Sequence, residues 1–285
     1  MSQDFVQRFL FKEHSIRGQM VQLDKAWQKM TEDRHYPAVI SELLGELTAV
    51  SVIMASGLKH QGKITLQIQG SGPVNLLVVE VTHDFKLRGV AKTSQPIDEQ
   101  KTMDELLGDG QILVTLENTQ TNHHFQSYVP READTVAKCF EIFFQQSEQL
   151  PSGLWLSADD QHLGGLLIQK MPDTDSKDED AWDRINHLAE TVKDDELMTL
   201  DSEELLHRLF HEETIELFDA QKVVYECPQD KERVDNMLRK LGKEEALKII
   251  EDEGEIVVHN EICNYHLRYS AEDVEALFNE ESSVQ

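Results

Sequence analysis

KITLQIQGSGPVNLLVVEV, residues 63–81, decides the fold class of this 285-residue chain. Ile64, Leu66 and Ile68 alternate with polar residues, which is the pattern of a half-buried β-strand. The glycines and proline of residues 70–73 indicate a turn, and the nearly continuous apolar run of residues 76–81 predicts a second strand, buried on both faces. The stretch therefore predicts two neighbouring strands of a sheet.

Helices and further strands surround these two strands without strict alternation. Residues 37–58 carry apolar side chains at helical spacing and predict a buried helix, and residues 133–146 predict another. This mixture indicates an α+β domain built on an antiparallel-rich sheet, which we place at residues 1–172. The other predicted strands of this domain are residues 5–11, 19–23, 111–116, 124–129, 153–156 and 166–169.

An acidic segment follows, which we place at residues 173–214. Residues 171–220 contain 17 Asp and Glu against four Lys and Arg. The segment still carries a helical stripe of Trp182, Ile185, Ala189 and Val192, and a second helix is predicted at 201–210. Because like charges repel and the stripe is narrow, we expect this helical linker to detach first from the domain before it. Trp182, Ile185 and Val192 are its predicted gate residues.

The last part, residues 215–285, is predicted to be a small α+β unit. Its helices are predicted at 231–241, 243–251 and 271–279, and its strands at 223–225, 255–258 and 265–269. A unit of about 70 residues has a thin core and often needs a metal or a disulfide. Cys227 and Cys263 lie at strand edges, with His259 and His266 near the second cysteine. Spacing alone favours two unrelated cysteines, because no CxC or CxxC pair is present.

Charge and composition exclude several classes of function. The formal net charge of −27 predicts repulsion from nucleic acid and from anionic membranes. The N-terminus shows no secretory signal, and no apolar run reaches the length of a membrane span. Three cysteines without a signal fit a reducing compartment, so we expect a cytoplasmic protein.

Catalytic motifs are incomplete throughout the chain. Residues 70–72 lack the lysine and spacing of a phosphate loop and are interpreted as a turn, so no nucleotide is expected. His211-Glu212-Glu213 begins like a zinc-protease helix, but Ile215 stands where the second histidine is required, so we interpret it as a solvated helix end. Cys139 is predicted to be a buried apolar residue. With no nucleophile, base and orienting acid together, the protein is not expected to be an enzyme.

Ten short stretches along the chain carry a resemblance to a known family. They are LLGEL (43–47), LQIQGSGP (66–73), LLVVE (76–80), LRG with Ala91 (87–91), YVP (128–130), QSEQLP (146–151), LWL (154–156), GGLLIQ (164–169), RLFHEE (208–213) and EGEI (253–256). Together they resemble the heat shock protein 33 family of redox-regulated holdase chaperones. The resemblance implies an N-terminal client-binding domain, an acidic linker folded over it, and a C-terminal switch domain. In that family the switch holds one zinc through four cysteine thiolates, two disulfides form on oxidation, and the active form is a dimer.

The chain departs from the family pattern at the switch. The first cysteine pair is replaced by Cys227-Pro228-Gln229 and the second by Asn260-Glu261-Ile262-Cys263. Gln and Asn cannot replace thiolates in a tetrahedral zinc site, so the zinc and the two-disulfide chemistry are both in doubt. A metal site of Cys227, Cys263, His259 and His266 stays open as an alternative.

Cys227 and Cys263 would still be neighbours in a family-like fold. A disulfide between them would close a loop of 37 residues, counted from 227 through 263, and would stabilise the switch domain against unfolding. We therefore expect peroxide alone to activate the protein poorly and heat to be the main trigger.

The function expected from these observations is that of a stress-activated, ATP-independent holdase. Its partners would be unfolded client proteins, with a homodimer as the active form. Two other classes stay open: a thiol-disulfide oxidoreductase that uses Cys227 and Cys263, and an acidic interaction scaffold that binds one folded partner.

Overall fold

The structure is a computed structural model that describes residues 4–172, 178, 180–228 and 231–281. The chain divides into two compact units, Met1–Glu226 and Cys227–Gln285. Both mix helices and strands, so the predicted α+β class is confirmed.

The first unit holds twelve strands and seven helices among the residues described. The strands are β1 (Phe5–Phe11), β2 (Ile16–Leu23), β3 (Gly62–Gln69), β4 (Val74–Thr82), β5 (Lys86–Thr93), β6 (Gln111–Asn118), β7 (His123–Val129), β8 (Ser152–Ala158), β9 (Leu163–Lys170), β10 (Ile215–Leu217), β11 (Gln221–Lys222) and β12 (Val224–Tyr225). The helices are α1 (Lys25–Thr31), α2 (Ala38–Ala55), α3 (Met103–Leu107), α4 (Val136–Ser147), α5 (Ala181–Ala189), α6 (Asp194–Thr199) and α7 (Ser202–Phe210).

The strands form two sheets. The first sheet has the order β10-β1-β2-β9-β8, with β11 also paired to β1, and its pairs are antiparallel. The second sheet has the order β12-β5-β4-β3-β6-β7 and is antiparallel apart from the short parallel β12–β5 pair. An antiparallel-rich architecture was predicted from the lack of strict alternation between strands and helices, and the structure shows one.

The stretch at residues 63–81 forms the β3–β4 hairpin in the middle of the second sheet. Ile64, Leu66 and Ile68 are buried, as their alternation predicts, and Leu77 to Val79 are buried as a continuous run. The turn requires a glycine at residue 72, because a Cβ there would collide with the carbonyl oxygen of Leu106.

Helix α2 forms the centre of the main core, which contains buried residues from both sheets. Of the described residues, α2 is the one helix long and apolar enough to cross a membrane, although no such run was expected from the sequence. Its window is 72% buried inside the structure, which is the environment of a core helix.

Several elements were not predicted, namely α1, β5, α3, α6, β10 and β11. The first unit also runs to Glu226, beyond the boundary that we drew before residue 215. The reason is strand pairing: β10 and β11 pair with β1, and β12 pairs with β5. These pairs are too short to show an apolar period in the sequence.

The second unit contains α8 (Lys231–Leu241), α9 (Lys243–Glu253), β13 (Ile256–Asn260), β14 (Tyr265–Tyr269) and α10 (Ala271–Glu281). Strands β13 and β14 form the predicted antiparallel hairpin. The core of this unit is small, as expected for its length. Its buried residues are Leu238, Ala246, Ile256, Tyr269, Val274 and Leu277.

Candidate functional site

Helices α5, α6 and α7 lie over an apolar face of the first sheet. Side chains from β1, β2 and β9 form this covered face, and they share one buried cluster with the helices. The covered face consists of Phe9, Phe11, Ile16, Met20, Leu166 and Ile168. The linker side of the cluster consists of Ala181, Ile185, Ala189, Leu197, Leu205, Leu206, Leu209 and Phe210.

The predicted gate residues all lie against this cluster, but to different depths. Ile185 is fully buried, whereas Trp182 and Val192 are partly buried at its margin. Phe210 at the end of α7 packs edge-on against Phe11, with 5.2 Å between ring centroids. The linker is therefore held by more apolar contact than its narrow stripe predicts.

Helix α6 provides contacts that the sequence did not reveal. The side-chain amide of the fully buried Gln22 donates hydrogen bonds to the carbonyl oxygens of Leu197, at 2.8 Å, and Leu200, at 2.6 Å. Gly164 of β9 lies so close to Leu197 that a Cβ at residue 164 would collide with its backbone. A six-residue helix is too short for a periodic apolar signal, so only a tertiary structure could show this anchor.

Ion pairs offset part of the negative charge of the linker. The guanidinium of Arg184 lies 3.0 Å from a carboxylate oxygen of Glu213 and 3.0 Å from one of Asp178. His14 lies 3.0 Å from the other oxygen of Glu213. Arg208 lies 2.8 Å from Glu196. Both arginines of the acidic segment therefore pair with carboxylates of that segment, and His14 joins the segment to the first sheet through Glu213.

The burial of Glu213 shows that one prediction was wrong. We interpreted residues 211–213 as a solvated helix end, but the Glu213 side chain is only 9% exposed because His14 and Arg184 contact it. The side chains of His211 and Glu212 are 61% and 82% exposed, as expected.

Electrostatic repulsion also acts between the linker and the core helix α2. Glu42 and Glu46 of α2 line a cavity of about 170 Å³ with Asp134. Burial, followed by repulsion from Glu42 and from Asp194 of α6, raises the pKa of Glu46 to about 8. At neutral pH these effects favour the protonated form of the Glu46 carboxyl group.

Cys227 and Cys263 form a disulfide within the second unit, with their Cα atoms 5.6 Å apart. Cys263 is 8% exposed and lies in the turn between β13 and β14. Its backbone N–H donates a hydrogen bond to the side-chain oxygen of Asn260, at 3.1 Å. Asn260, which stands where the family pattern has a cysteine, therefore caps this turn.

The arrangement does not fit the four-thiolate zinc site that the resemblance implies. Both remaining sulfurs are bonded to each other, so neither is a thiolate, and zinc requires thiolates from cysteine. His259 and His266 are cross-strand neighbours whose rings stack with centroids 4.3 Å apart. Among the residues that the structure describes, no group of three or more His, Cys, Asp or Glu side chains is placed to hold a metal. Gln229 lies outside the described residues.

The remaining candidates occupy ordinary structural positions. Residues 70–72 form the β3–β4 turn, where the Ser71 hydroxyl oxygen accepts a hydrogen bond from the backbone N–H of Asp109. Cys139 is fully buried as a free thiol, and its burial raises its pKa. His123 and His124 are exposed neighbours on β7, so their side chains point to opposite faces of the sheet.

Fold and site together define a class of protein: an α+β unit with an apolar sheet face under acidic helices, followed by a small disulfide-bonded unit. The Hsp33 protein family model matches residues 4–270. The chain is 38% identical to the 33 kDa chaperonin of Methylobacillus flagellatus over 280 residues, covering 98% of this chain and 95% of that one. It is 37% identical to the 33 kDa chaperonin of Shewanella loihica, with coverage of 98% and 96%.

A solved structure shows the same fold. The 33 kDa chaperonin of Thermotoga maritima superposes with a TM-score of 0.79 at 21% identity, covering 98% of this chain and 99% of that one. The protein belongs to the Hsp33 family.

Proposed function

We propose that this protein is an ATP-independent holdase that binds unfolding proteins and prevents their aggregation. The covered face supports this proposal most directly, because six large apolar side chains of one sheet are hidden by a helical segment with a strong excess of negative charge. Such a face, once uncovered, has the apolar character that binds apolar segments of other chains. The names of the relatives agree with a chaperone function.

The linker acts as the gate in this proposal, with Trp182, Ile185 and Val192 on its contact side. Residues 1–172 would bind clients, residues 173–214 would cover the binding face, and residues 215–285 would contain the switch. Burial of Ile185 supports its role, since a buried isoleucine contributes about 1.5–3 kcal/mol. Client proteins would compete with α5 and α7 for the covered face.

Cys227 and Cys263 form the redox switch in this proposal, without a required metal. Their disulfide spans the second unit, so its formation stabilises that unit and its reduction weakens it. Heat would then be the main trigger. We further propose a cytoplasmic location and an active homodimer. We also propose that the protein has no nucleic-acid or membrane partner, because its net charge of −27 repels both nucleic acid and anionic membranes.

The thiol-disulfide oxidoreductase alternative has less support, because the Cys263 residue is only 8% exposed and no CxxC motif is present.

The test is suppression of light scattering by a heat-unfolding client protein, measured without nucleotide. We expect suppression after brief heating of the reduced chain, and less after peroxide treatment at low temperature. The proposal is abandoned if the chain never suppresses aggregation after heat, oxidation or acid treatment.

A further inference from the structure

Strand β7 is an edge strand without the features that normally protect an edge. It terminates the second sheet, and among the residues that the structure describes no strand pairs with its outer side. Its seven pairs with β6 run without a bulge. Its sequence, HHFQSYV, contains no Lys, Arg, Asp, Glu or Pro, in a chain that is 28% charged. Natural sheets usually block a long free edge with lysine, proline or a bulge.

Two aromatic residues stand exposed on this strand. Phe125 is 62% exposed and Tyr128 is 63% exposed. They are three residues apart and therefore point to opposite faces of the sheet. Tyr128 also borders a cavity of about 280 Å³ with Leu113 and Asp109. An added strand would thus find an apolar contact on each of its faces as well as free backbone groups.

We propose that the free edge of β7 binds an extended apolar segment of an unfolded polypeptide that carries Lys or Arg beside its apolar residues. This inference rests on the proposed holdase function and adds a second binding site to it. Unlike the covered face, the β7 edge is accessible while the linker is in place. It would therefore capture clients before the linker is released.

Charge decides which occupant fits. Asp109 lies beside Tyr128, and Glu132 and Asp134 are exposed just after the strand ends. The cationic Arg131 nearby already pairs with Asp104. A basic segment is attracted to this acidic surface, whereas a second copy of the chain carries a net charge of −27 and fits this edge less well, so the homodimer proposed above would pair through another surface.

The test uses fluorescence anisotropy with a labelled peptide and the full-length chain. The peptide alternates Val and Thr around a central Phe, with two lysines at each end, and a matched peptide has glutamates instead. We expect the lysine peptide to bind at least about 10-fold more tightly at low salt, with a difference that shrinks as salt is added. N-methylation of alternate peptide amides should abolish binding, because it removes the edge hydrogen bonds.

Protein variants locate the site. Phe125→Lys and Tyr128→Lys should each weaken binding of the lysine peptide at least about 10-fold, since edge lysines block strand addition and repel the peptide. Phe218→Ser is the control, because Phe218 is an exposed aromatic, 43% exposed, that lies outside β7. Circular dichroism and the melting transition of each variant confirm that it is folded.

Equal binding by the β7 variants and the unchanged chain would overturn the proposal, as would equal binding of the N-methylated peptide. Loss of self-association in Phe125→Lys, with peptide binding intact, would assign the edge to a second copy and also overturn it. Client-aggregation assays on the same samples separate the two claims. If heat-triggered suppression persists while the peptide fails to bind, the edge site is lost and the holdase stands.

Discussion

Replacing Cys263 by Ser should strongly destabilise the second unit. Among the residues that the structure describes, the hydrophobic core of this unit contains only six buried residues. At roughly 0.05–0.15 kcal/mol per residue, its 59 residues would have a total stability of about 3–9 kcal/mol. The disulfide therefore contributes a large part of what holds the unit folded.

The size of that contribution follows from the length of the closed loop. Cys227 and Cys263 are 36 positions apart, so the loop contains 37 residues. The chain-entropy relation then gives about 13 cal/mol/K, or about 4 kcal/mol at 25 °C. For a unit of this size, such a change lowers the melting temperature by on the order of 15–30 °C.

Hydrogen exchange with mass spectrometry resolves the two units in the full-length chain. Residues 231–281 should exchange much faster in Cys263→Ser than in the oxidised chain, while the strands of the first unit should not change. A reductant should reproduce the effect in the unchanged chain and should do nothing further to the variant, which serves as its own control.

Chaperone activity should appear at a lower temperature in the samples whose second unit is less stable. The variant and the reduced chain should suppress client aggregation at a lower temperature than the oxidised chain. If the second unit melts at the same temperature with and without the disulfide, or if peroxide activates the chain fully at low temperature, the reasoning is wrong.

Three further predictions concern the linker. Ile185→Asp should release the linker, because burial worth about 1.5–3 kcal/mol is lost and a charge is forced into the cluster. The client assay should then show activity without heating. The control His187→Asp changes a side chain of the same helix that is 86% exposed, and it should not activate the protein. Gln22→Leu should speed hydrogen exchange of residues 181–210, since the buried carbonyl of Leu197 loses its donor at a cost of about 1–3 kcal/mol and the partly buried carbonyl of Leu200 also loses its donor. The closed linker should weaken modestly as pH rises toward about 8, as measured by hydrogen exchange, and Glu46→Gln should remove this dependence. The sign follows because repulsion from Asp194 of the linker, the smallest of the three causes, raises the pKa of Glu46 in the closed state only. The closed state therefore keeps its proton to a higher pH than the open state, and closure becomes less favourable as that proton is lost. An unchanged pH profile in Glu46→Gln would contradict this.

Long elements with a clear period were predictable from the sequence. The β3–β4 hairpin, α2 and α8 follow from the alternation or helical spacing of their apolar residues. Short elements such as α6, β10 and β11 were not predictable, because they are stabilised by tertiary partners and carry no period of their own. Their absence from the sequence analysis explains why the boundary at residue 215 differs from the observed division at Glu226.

Two parts of the candidate site were predictable: the part that depends on the pattern of apolar residues, and the part where the chain differs from the cysteine pattern of the family. The stripe on α5 identified Ile185, and the missing cysteines suggested a Cys227–Cys263 bond, which the structure contains. The polar anchors were not predictable, because Gln22 and Glu213 are ordinary polar residues until distant segments place partners around them. The contact of His14 with Glu213 joins positions 199 residues apart.

The order in which heat opens the molecule follows from what stabilises each part. The second unit has six buried apolar or aromatic residues, whereas the linker alone contributes eight to its cluster and is also anchored by Gln22. Between α7 and Cys227 the chain is fixed by β10, β11 and β12, which form only three, two and two residue pairs. Unfolding of the second unit therefore does not by itself release the linker, because these short pairs must break first. Reduction lowers the free energy of unfolding of the second unit by about 4 kcal/mol and leaves the short strand pairs and the linker contacts unchanged. We therefore expect oxidation to delay opening in this chain, which is the reverse of what the resemblance to the four-cysteine switch implies.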